Sequence, residues 1–352
     1  MSDLIATTVS AIEDVDRSAA QAAQLLLDEK TKPRRSLGRL EDLACYLAAI
    51  RRTACPPLAV KALVVMAADH GIAEEGISAY PQQVTRQMLL NFSGGGAAIN
   101  VLARHVGADL VVVDMGVKEP VAAVGVRSCR VGPGTRNFTR GAAMTRDEAV
   151  TAVEYGIRLA EGLAKEGATV LGFGDMGIGN STTASALASV FMGAAPEEVT
   201  GGGTGVDEAG VQRKIDVIRR GLAENQPSPH DPLDVLAKVG GFEIGGLCGL
   251  VLGGAARKLA LVMDGFIASV AALVAVRIAP MAVSYLIASH RSVEPGHRRV
   301  LRALEKTPLL ELEMRLGEGT GAALAMGIID ASLRILHEMA TFARAGVSDS
   351  GA

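Results

Sequence analysis

Aromatic side chains are scarce in this chain of 352 residues: they make up 3% of it, and tryptophan is absent. Proteins that bind single-stranded nucleic acid stack its bases on aromatic side chains, so we expect no nucleic-acid partner. The formal net charge is −3 and the pI is near 6.1. The sequence therefore also lacks the basic field that would attract polynucleotides or anionic membranes.

Long apolar runs are lacking as well. Two of the longer apolar charge-free stretches, residues 266–276 and 278–289, are separated by Arg277. Both fall short of the roughly 20 residues that a membrane-spanning helix needs. The four cysteines are widely spaced without a CxxC pair, and the first residues carry acids instead of a secretory leader's apolar core. These features predict a soluble cytoplasmic protein with reduced cysteines and no membrane partner.

Two common catalytic signatures are also missing from the sequence. There is no GK dipeptide, which excludes a Walker A loop. There is no HExxH motif and no Cys/His cluster with metal-ligand spacing, so we expect no metal site.

What the sequence does contain is an alternation of short apolar runs with helical segments. The runs are rich in Val and Leu and cover residues 62–69, 109–116, 168–175, 260–265 and 284–290. Continuously apolar strands separated by helices predict an α/β fold, with a parallel sheet covered by helices on both faces. Ligands of such folds bind at the carboxyl ends of the strands.

A glycine-rich segment, "VLGFGDMGIGNSTTASAL", lies between a predicted strand and a predicted helix. Gly172, Gly174 and Gly177 satisfy the GxGxxG pattern of dinucleotide-binding folds. That fingerprint also needs an acidic residue about 20 positions on, at the end of the next strand. Glu197 and Glu198 fall there, in a stretch that does not resemble a strand end. An NAD(P)-dependent oxidoreductase is therefore an alternative, but the sequence lacks the acidic residue that this fingerprint needs.

The same segment also fits a glycine-rich turn that leads into a helix beginning with residues 180–183. Backbone N–H groups at such a helix start bind a phosphate, although an ordinary capped helix explains the pattern equally well. A second glycine-rich loop, residues 201–205, again precedes a helix. Lys214, about two turns into that helix, either leans back toward the loop as a phosphate partner or lies on the surface. Two such loops together favour a nucleotide ligand.

Polar residues follow several of the other predicted strands. Asp69 and His70 form either a catalytic pair or a hydrogen-bonded turn. The remaining candidates for a pocket at this edge of the sheet are Tyr80, Gln87, Asp264, Ser289, His290 and Ser292.

The segment "RLGEGTGAALAMGIID" holds one acid, Glu318, between two glycines, and the next charged residue is Asp330. A glutamate in the first turn of a helix is favoured by the helix dipole. The alternative is a general base held in a dry pocket.

Five segments together resemble the nicotinate-nucleotide–dimethylbenzimidazole phosphoribosyltransferase family. They are "DHGIAEEGISAYPQQVTRQM", "GFGDMGIGNSTTASAL", "NQPSPHDPLDVLAKVGGFEIGGLCGLVLGGA", "MDGFIAS" and "MRLGEGTGAALAM". The similarity runs in collinear order from about residue 30 to about residue 345.

The resemblance implies that nicotinate mononucleotide and 5,6-dimethylbenzimidazole react to give α-ribazole 5′-phosphate and nicotinate, without a cofactor, in assembly of the cobalamin nucleotide loop. It further implies a Rossmann-like large domain over residues 40–310. A small helical lobe, built from residues 1–39 and 311–352, would carry the catalytic glutamate. It also implies a homodimer.

The resemblance assigns roles by position. Glu318 matches the general base, and Asp175 stands where the family often has a second acid, glutamate. The mononucleotide phosphate would contact Gly177, Gly179, Asn180, Gly203, Thr204 and Lys214. The benzimidazole would lie near Tyr80, Gln87 and Leu316, and Asp264 and Ser292 would shape the mononucleotide pocket. A non-catalytic nucleotide or benzimidazole sensor is a further alternative.

Overall fold

The computed structural model describes residues 1–348, which are built around one parallel sheet. Its strands, in chain order β1 to β6, are Lys61–Ala68, Asp109–Gly116, Val126–Ser128, Val170–Met176, Ala260–Met263 and Leu286–Ala288. Every neighbouring pair is parallel. The predicted α/β fold is confirmed. The edge strand β3 was not predicted, because a three-residue strand that contains an arginine and a serine forms no apolar run.

The strand order is β3-β2-β1-β4-β5-β6. The chain therefore builds the sheet outward from β1 in one direction, returns to the centre, and builds from β4 in the other. In open α/β sheets this reversal leaves a crevice beyond the carboxyl ends of the two central strands, where ligands bind. Here the crevice lies between the segments that follow β1 and β4.

Fifteen α-helices, together with short 3₁₀ helices at Gly71–Glu75 and Pro280–Tyr285, make up the rest of the regular structure of residues 1–348. In chain order α1 to α15 are Asp3–Ser10, Arg17–Asp28, Arg39–Arg51, Val84–Ser93, Ala98–Val106, Arg146–Lys165, Asn180–Met192, Pro196–Val199, Glu208–Asn225, Pro232–Val239, Phe242–Ala256, Phe266–Ile278, Pro295–Ala303, Thr320–Glu338 and Phe342–Ala345. Across the described residues, we find no helix with the length and apolar character that a bilayer crossing requires.

Helices cover both faces of the sheet. On one face, a Cβ built on Gly172 of β4 would lie 2.6 Å from the Leu63 side chain of β1 and 2.8 Å from Met326 of α14. On the other face, a Cβ on Gly246 of α11 would lie 2.5 Å from the sulfur of Met66. Leu63 and Met66 are three residues apart in β1, so their side chains point to opposite faces.

Helices α6 and α11 touch backbone to backbone outside the sheet. A Cβ on Gly156 of α6 would overlap the carbonyl oxygen of Gly246 and lie 2.6 Å from the nitrogen of Leu250. A Cβ on Gly249 would likewise overlap the carbonyl oxygen of Val153. This close approach lets α11 lie buried between α6 and the strands.

The two ends of the chain lie together. Leu27, Ala44 and Leu336, from α2, α3 and α14, form a small buried cluster. The Nζ of Lys30 also donates to the carbonyl oxygen of Met339, 2.9 Å away. Helix α14 packs against β4 and β5 as well. The division into a large domain and a small lobe stays a prediction, and residues 349–352 of that lobe lie outside the described residues.

We expect Gly156→Ala to lower the free energy of unfolding by about 1–3 kcal/mol, because the added methyl group forces α6 and α11 apart. The control is Gly162→Ala in the same helix, where a Cβ meets nothing within 4 Å. That change should raise stability by about 0.5–1 kcal/mol, because alanine loses less backbone entropy in a helix. Urea unfolding of both variants tests this, and equal stabilities would contradict the close helix contact.

Candidate active site

A cavity of about 700 Å³ opens where the predicted ligand crevice lies. Its walls include the end of β4 and the segments that follow β5 and β6. Nine of the thirteen residues to which the resemblance gives roles line it: Tyr80, Asp175, Gly177, Asn180, Gly203, Thr204, Ser292, Leu316 and Glu318. The structure therefore brings together residues that are up to 238 positions apart in the sequence.

Glu318 lies in a tight turn just before α14, and not in the first turn of that helix. Its φ is +63°, between Gly317 and Gly319 at +85° each. A non-glycine residue in this left-handed region is uncommon and strained. The backbone of this turn contacts β4: a Cβ on Gly174 would overlap Gly319 and lie 2.6 Å from the carbonyl carbon of Glu318. The helix-dipole interpretation of Glu318 therefore does not explain its position.

The Glu318 residue is 6% exposed, and burial raises the pKa of its carboxyl group above the ordinary value. Within residues 1–348 its Oε2 atom has no hydrogen-bond partner. A buried carboxylate oxygen without a donor is a strong proton acceptor, since water does not stabilise its charge.

Asp264, which follows β5, holds the Glu318 turn in place. Its Oδ2 accepts the N–H of Gly319 at 2.9 Å and its Oδ1 accepts the N–H of Gly321 at 2.7 Å. Burial raises the pKa of Asp264 to about 7, although these amide donors pull it down. The residue lies behind the cavity wall, where it supports the turn that carries Glu318.

Asp175, at the end of β4, is the second carboxyl group of the cavity wall. Its Oδ2 accepts a hydrogen bond from Nδ2 of Asn180 at 2.8 Å. Burial raises the pKa of Asp175 well above its ordinary value, and the charges of Asp264, Glu243 and Glu318 add to this effect. The site therefore holds two buried carboxyl groups, and ionisation of one opposes ionisation of the other.

The glycines of the GxGxxG pattern are explained by packing. Gly172 contacts α14 and Gly174 contacts the Glu318 turn, as described above. A Cβ on Gly177 would lie 2.5 Å from the carbonyl oxygen of Ala68, at the end of β1. Helix α7 begins at Asn180, as predicted, with Gly179 as its N-cap.

Lys214 connects the two glycine-rich loops. Its Nζ donates to Oγ of Ser181 at 3.0 Å and to the carbonyl oxygen of Gly201 at 2.9 Å. The side chain is 1% exposed, so the surface-lysine interpretation is wrong, and burial lowers its pKa to about 8. The ammonium group lies at Gly203, where an added Cβ would be 2.9 Å from it. Together the loops offer a cation and backbone donors to an anion.

The rim of the cavity is more exposed. Tyr80 and Leu316 are 55% and 58% exposed, and both belong to the cavity wall. Gln87 does not reach the cavity wall; α4 presents Val84 and Met88 there instead. Gln87 lies about 100° around the helix from Met88, and it is exposed to solvent.

Asp69 and His70 do not form a catalytic pair. His70 is buried between Glu243, whose Oε1 lies 2.7 Å from its Nε2, and Thr183, whose Oγ1 lies 3.0 Å from its Nδ1. Asp69 accepts the N–H of Lys118 at 2.7 Å. Both residues fix the segments behind the cavity.

Sequence reasoning missed two charged residues of the cavity wall. Arg315 donates from Nη1 to the carbonyl oxygen of Gly203 at 3.0 Å, and Glu294 accepts the N–H of the same glycine at 3.0 Å. Arg315 is part of the motif that contains Glu318, which was a usable signal. Glu294 had no such signal, because it reaches the loop only in the folded chain. No group of three or more His, Cys, Asp or Glu residues is arranged to hold a metal ion within residues 1–348.

The fold and this site are those of a pentosyltransferase. A family model described as "Phosphoribosyltransferase" matches residues 12–347, nearly the whole chain. More narrowly, the chain belongs to the nicotinate-nucleotide–dimethylbenzimidazole phosphoribosyltransferase family. The oxidoreductase alternative is therefore wrong.

Its relatives of that name include the proteins of Geobacter metallireducens and Desulforamulus reducens. Each is 52% identical over 98% of this chain, which covers 98% and 99% of the two relatives. Two crystal structures from Thermus thermophilus, one named as a nicotinate-nucleotide–dimethylbenzimidazole phosphoribosyltransferase and one named CobT, superpose on this chain with TM-scores of 0.89 and 0.90. They are 47% and 48% identical and match 95% of this chain and 100% of theirs.

We expect Asp264→Asn to loosen the Glu318 turn, because an amide retains only one of the two acceptor oxygens. Stability should fall by about 1–3 kcal/mol, the cost of leaving a buried N–H unpaired. Hydrogen exchange should show faster exchange at Gly319 or Gly321. Asp109→Asn, at an exposed position at the start of β2, is the control and should leave both amides protected. Unchanged protection in Asp264→Asn would refute the supporting role.

Proposed function

We propose that this enzyme transfers the phosphoribosyl group of nicotinate mononucleotide to 5,6-dimethylbenzimidazole, giving α-ribazole 5′-phosphate and nicotinate in cobalamin lower-ligand synthesis. The relatives' names support these substrates. The observation that carries the mechanism is Glu318, a residue of the cavity wall whose buried Oε2 has no hydrogen-bond partner within residues 1–348.

The departure of nicotinate requires little assistance from the protein. Nicotinate leaves a ribosyl carbon as a pyridine whose ring nitrogen becomes neutral, so its departure requires no proton donor. The acceptor nitrogen of neutral dimethylbenzimidazole forms the new bond, and the ring becomes cationic unless its other nitrogen loses a proton. Glu318 takes that proton, because a positioned carboxylate with a raised pKa is an effective general base.

Burial raises the pKa of Asp175 well above its ordinary value, and an ionised Glu318 raises it further, so we assign the shared proton to Asp175. A neutral Asp175 leaves Glu318 as the carboxylate that receives the proton. We therefore assign Asp175 to the nucleotide side of the cavity, where it also orients Asn180.

The two glycine-rich loops bind the phosphate of nicotinate mononucleotide. The donors are the backbone at Gly177, Gly179 and Gly203, with Asn180, Thr204 and Lys214. The dipole at the start of α7 and the buried ammonium group of Lys214 both favour a negative ligand. Ser292 and the Asp264-supported turn complete this side of the pocket.

The benzimidazole lies toward the rim, between Tyr80 and Leu316 and over Val84 and Met88. The product is an α-nucleotide formed from a β-nucleotide, so the base enters on the face opposite the departing nicotinate. Holding two flat rings across one ribose converts an encounter of two molecules into a reaction within one complex, which is a large contribution to catalysis.

A non-catalytic sensor would bind the same ligands without a base. The strained, buried position of Glu318 argues against this alternative, because binding alone does not require such strain. A homodimer and a cytoplasmic location stay predictions.

Purified protein should release nicotinate from nicotinate mononucleotide only when dimethylbenzimidazole is added. We expect Glu318→Gln to lower kcat by about 10²–10⁴-fold, the usual contribution of general base catalysis. Glu313→Gln, an exposed acid in the same segment, is the matched control and should retain wild-type turnover. Chromatography of nicotinate measures both. Full activity of Glu318→Gln would remove its assigned role.

The pH dependence of kcat should report Glu318 directly. Its pKa is raised above the ordinary value of 4.5, so protonation removes the base as pH falls, at a pH above 4.5. Activity should therefore be lost on the acid side and regained as pH rises through this pKa. The residual activity of Glu318→Gln should not show this loss at acid pH, whereas Glu313→Gln should show it. If both variants lost activity over the same pH range, a group other than Glu318 would be responsible for the loss.

A further inference from the structure

Glu294 lies against the glycine-rich loop of residues 201–205. Its Oε1 accepts the N–H of Gly203 at 3.0 Å. A Cβ on Gly201 would overlap its Oε2 and lie 2.6 Å from Cδ of Pro295, so the carboxylate packs directly on the loop. Glu294 also belongs to the cavity wall. A negative charge thus lies over donors that an anionic ligand would use.

The Glu294 side chain does not serve its own helix. It is the N-cap residue of α13, a position where shorter polar side chains such as aspartate accept a hydrogen bond from the helix. The Glu294 side chain makes no such bond. It reaches across to Gly203 instead, and within residues 1–348 its Oε2 has no hydrogen-bond partner.

The surroundings of the carboxylate are those of an anion site. Lys214 Nζ donates to two uncharged oxygens, those of Ser181 and Gly201, and the charge of Glu294 raises the pKa of Lys214 against the effect of burial. Arg315 donates to the carbonyl oxygen of Gly203. Glu294 therefore supplies negative charge where the cations converge.

We propose that Glu294 is a built-in competitor of the substrate phosphate, which must displace its carboxylate from the N–H of Gly203 before the nucleotide binds productively. One N–H cannot donate fully to two acceptors, and two anions at hydrogen-bond distance from one group repel each other. The inference rests on the proposed function only in identifying the anion as a nucleotide phosphate. Glu294 therefore weakens binding of the phosphate at this loop.

The simpler role for Glu294 is a brace that keeps the loop in shape. The two roles predict opposite effects. Without a brace the loop loses order and binds an anion more weakly. Without a competitor the loop is still held by Arg315 and by Lys214, and it binds an anion more tightly.

The test is the dissociation constant of inorganic phosphate, measured by titration calorimetry on the full chain. Glu294→Gln retains an oxygen that can accept the Gly203 N–H but carries no charge, and Glu294→Ala removes both. We expect at least about tenfold tighter phosphate binding in each, the scale of one charge–charge interaction fully screened by water. Glu311→Gln removes an equal charge from an exposed ion pair with Arg291 and should leave phosphate affinity unchanged.

Turnover gives a second readout. The KM for nicotinate mononucleotide should fall in Glu294→Gln, whereas the KM for dimethylbenzimidazole, which lies toward the rim, should not. Weaker or unchanged phosphate binding in Glu294→Ala overturns the proposal, as does an absence of phosphate binding in every variant. Calorimetry needs no turnover, so failure of the proposed reaction would be seen separately, in the nicotinate assay.

Discussion

The Glu318 turn can lie against β4 because β4 carries no side chain at position 174. Any Cβ there would overlap Gly319. In this turn three successive residues have positive φ angles, and one of them is not a glycine. Asp264 offsets part of that strain with two hydrogen bonds to the turn. The position of the Glu318 carboxylate thus depends on backbone packing between a strand and the start of α14.

Burial gives this site its chemical character. Asp175, Asp264 and Glu318 meet at the carboxyl edge of the sheet, where removal of water raises the pKa of all three. They differ in the donors around them: Asp264 has backbone amides, Asp175 has an asparagine, and the Oε2 of Glu318 has none within residues 1–348. Burial raises the pKa of Glu318 more than the backbone N–H of Ile99 lowers it, so this carboxylate is the more basic for its position. Three similar side chains therefore lie in three different electrostatic environments.

Much of the fold could be predicted from the sequence, because strands buried on both faces form unbroken apolar runs. That pattern predicts five of the six strands and the main helices. It does not predict β3, which is a short edge strand. The start of α7 at Asn180 was also predictable from its glycine-rich turn. The contacts of Lys214 were left open, because helix periodicity does not show whether a lysine reaches inward.

The sequence by itself determined the alternation of strands and helices, the glycines, and a motif specific enough to point to Glu318. Tertiary structure alone decided which glycines serve packing, that His70 pairs with Glu243 and not with Asp69, and that Glu294 reaches Gly203 and not its own helix. Backbone propensity and apolar periodicity depend on residues that are close in the sequence, so they can be predicted from it. Partner choice and desolvation depend on groups that come together only when distant segments pack.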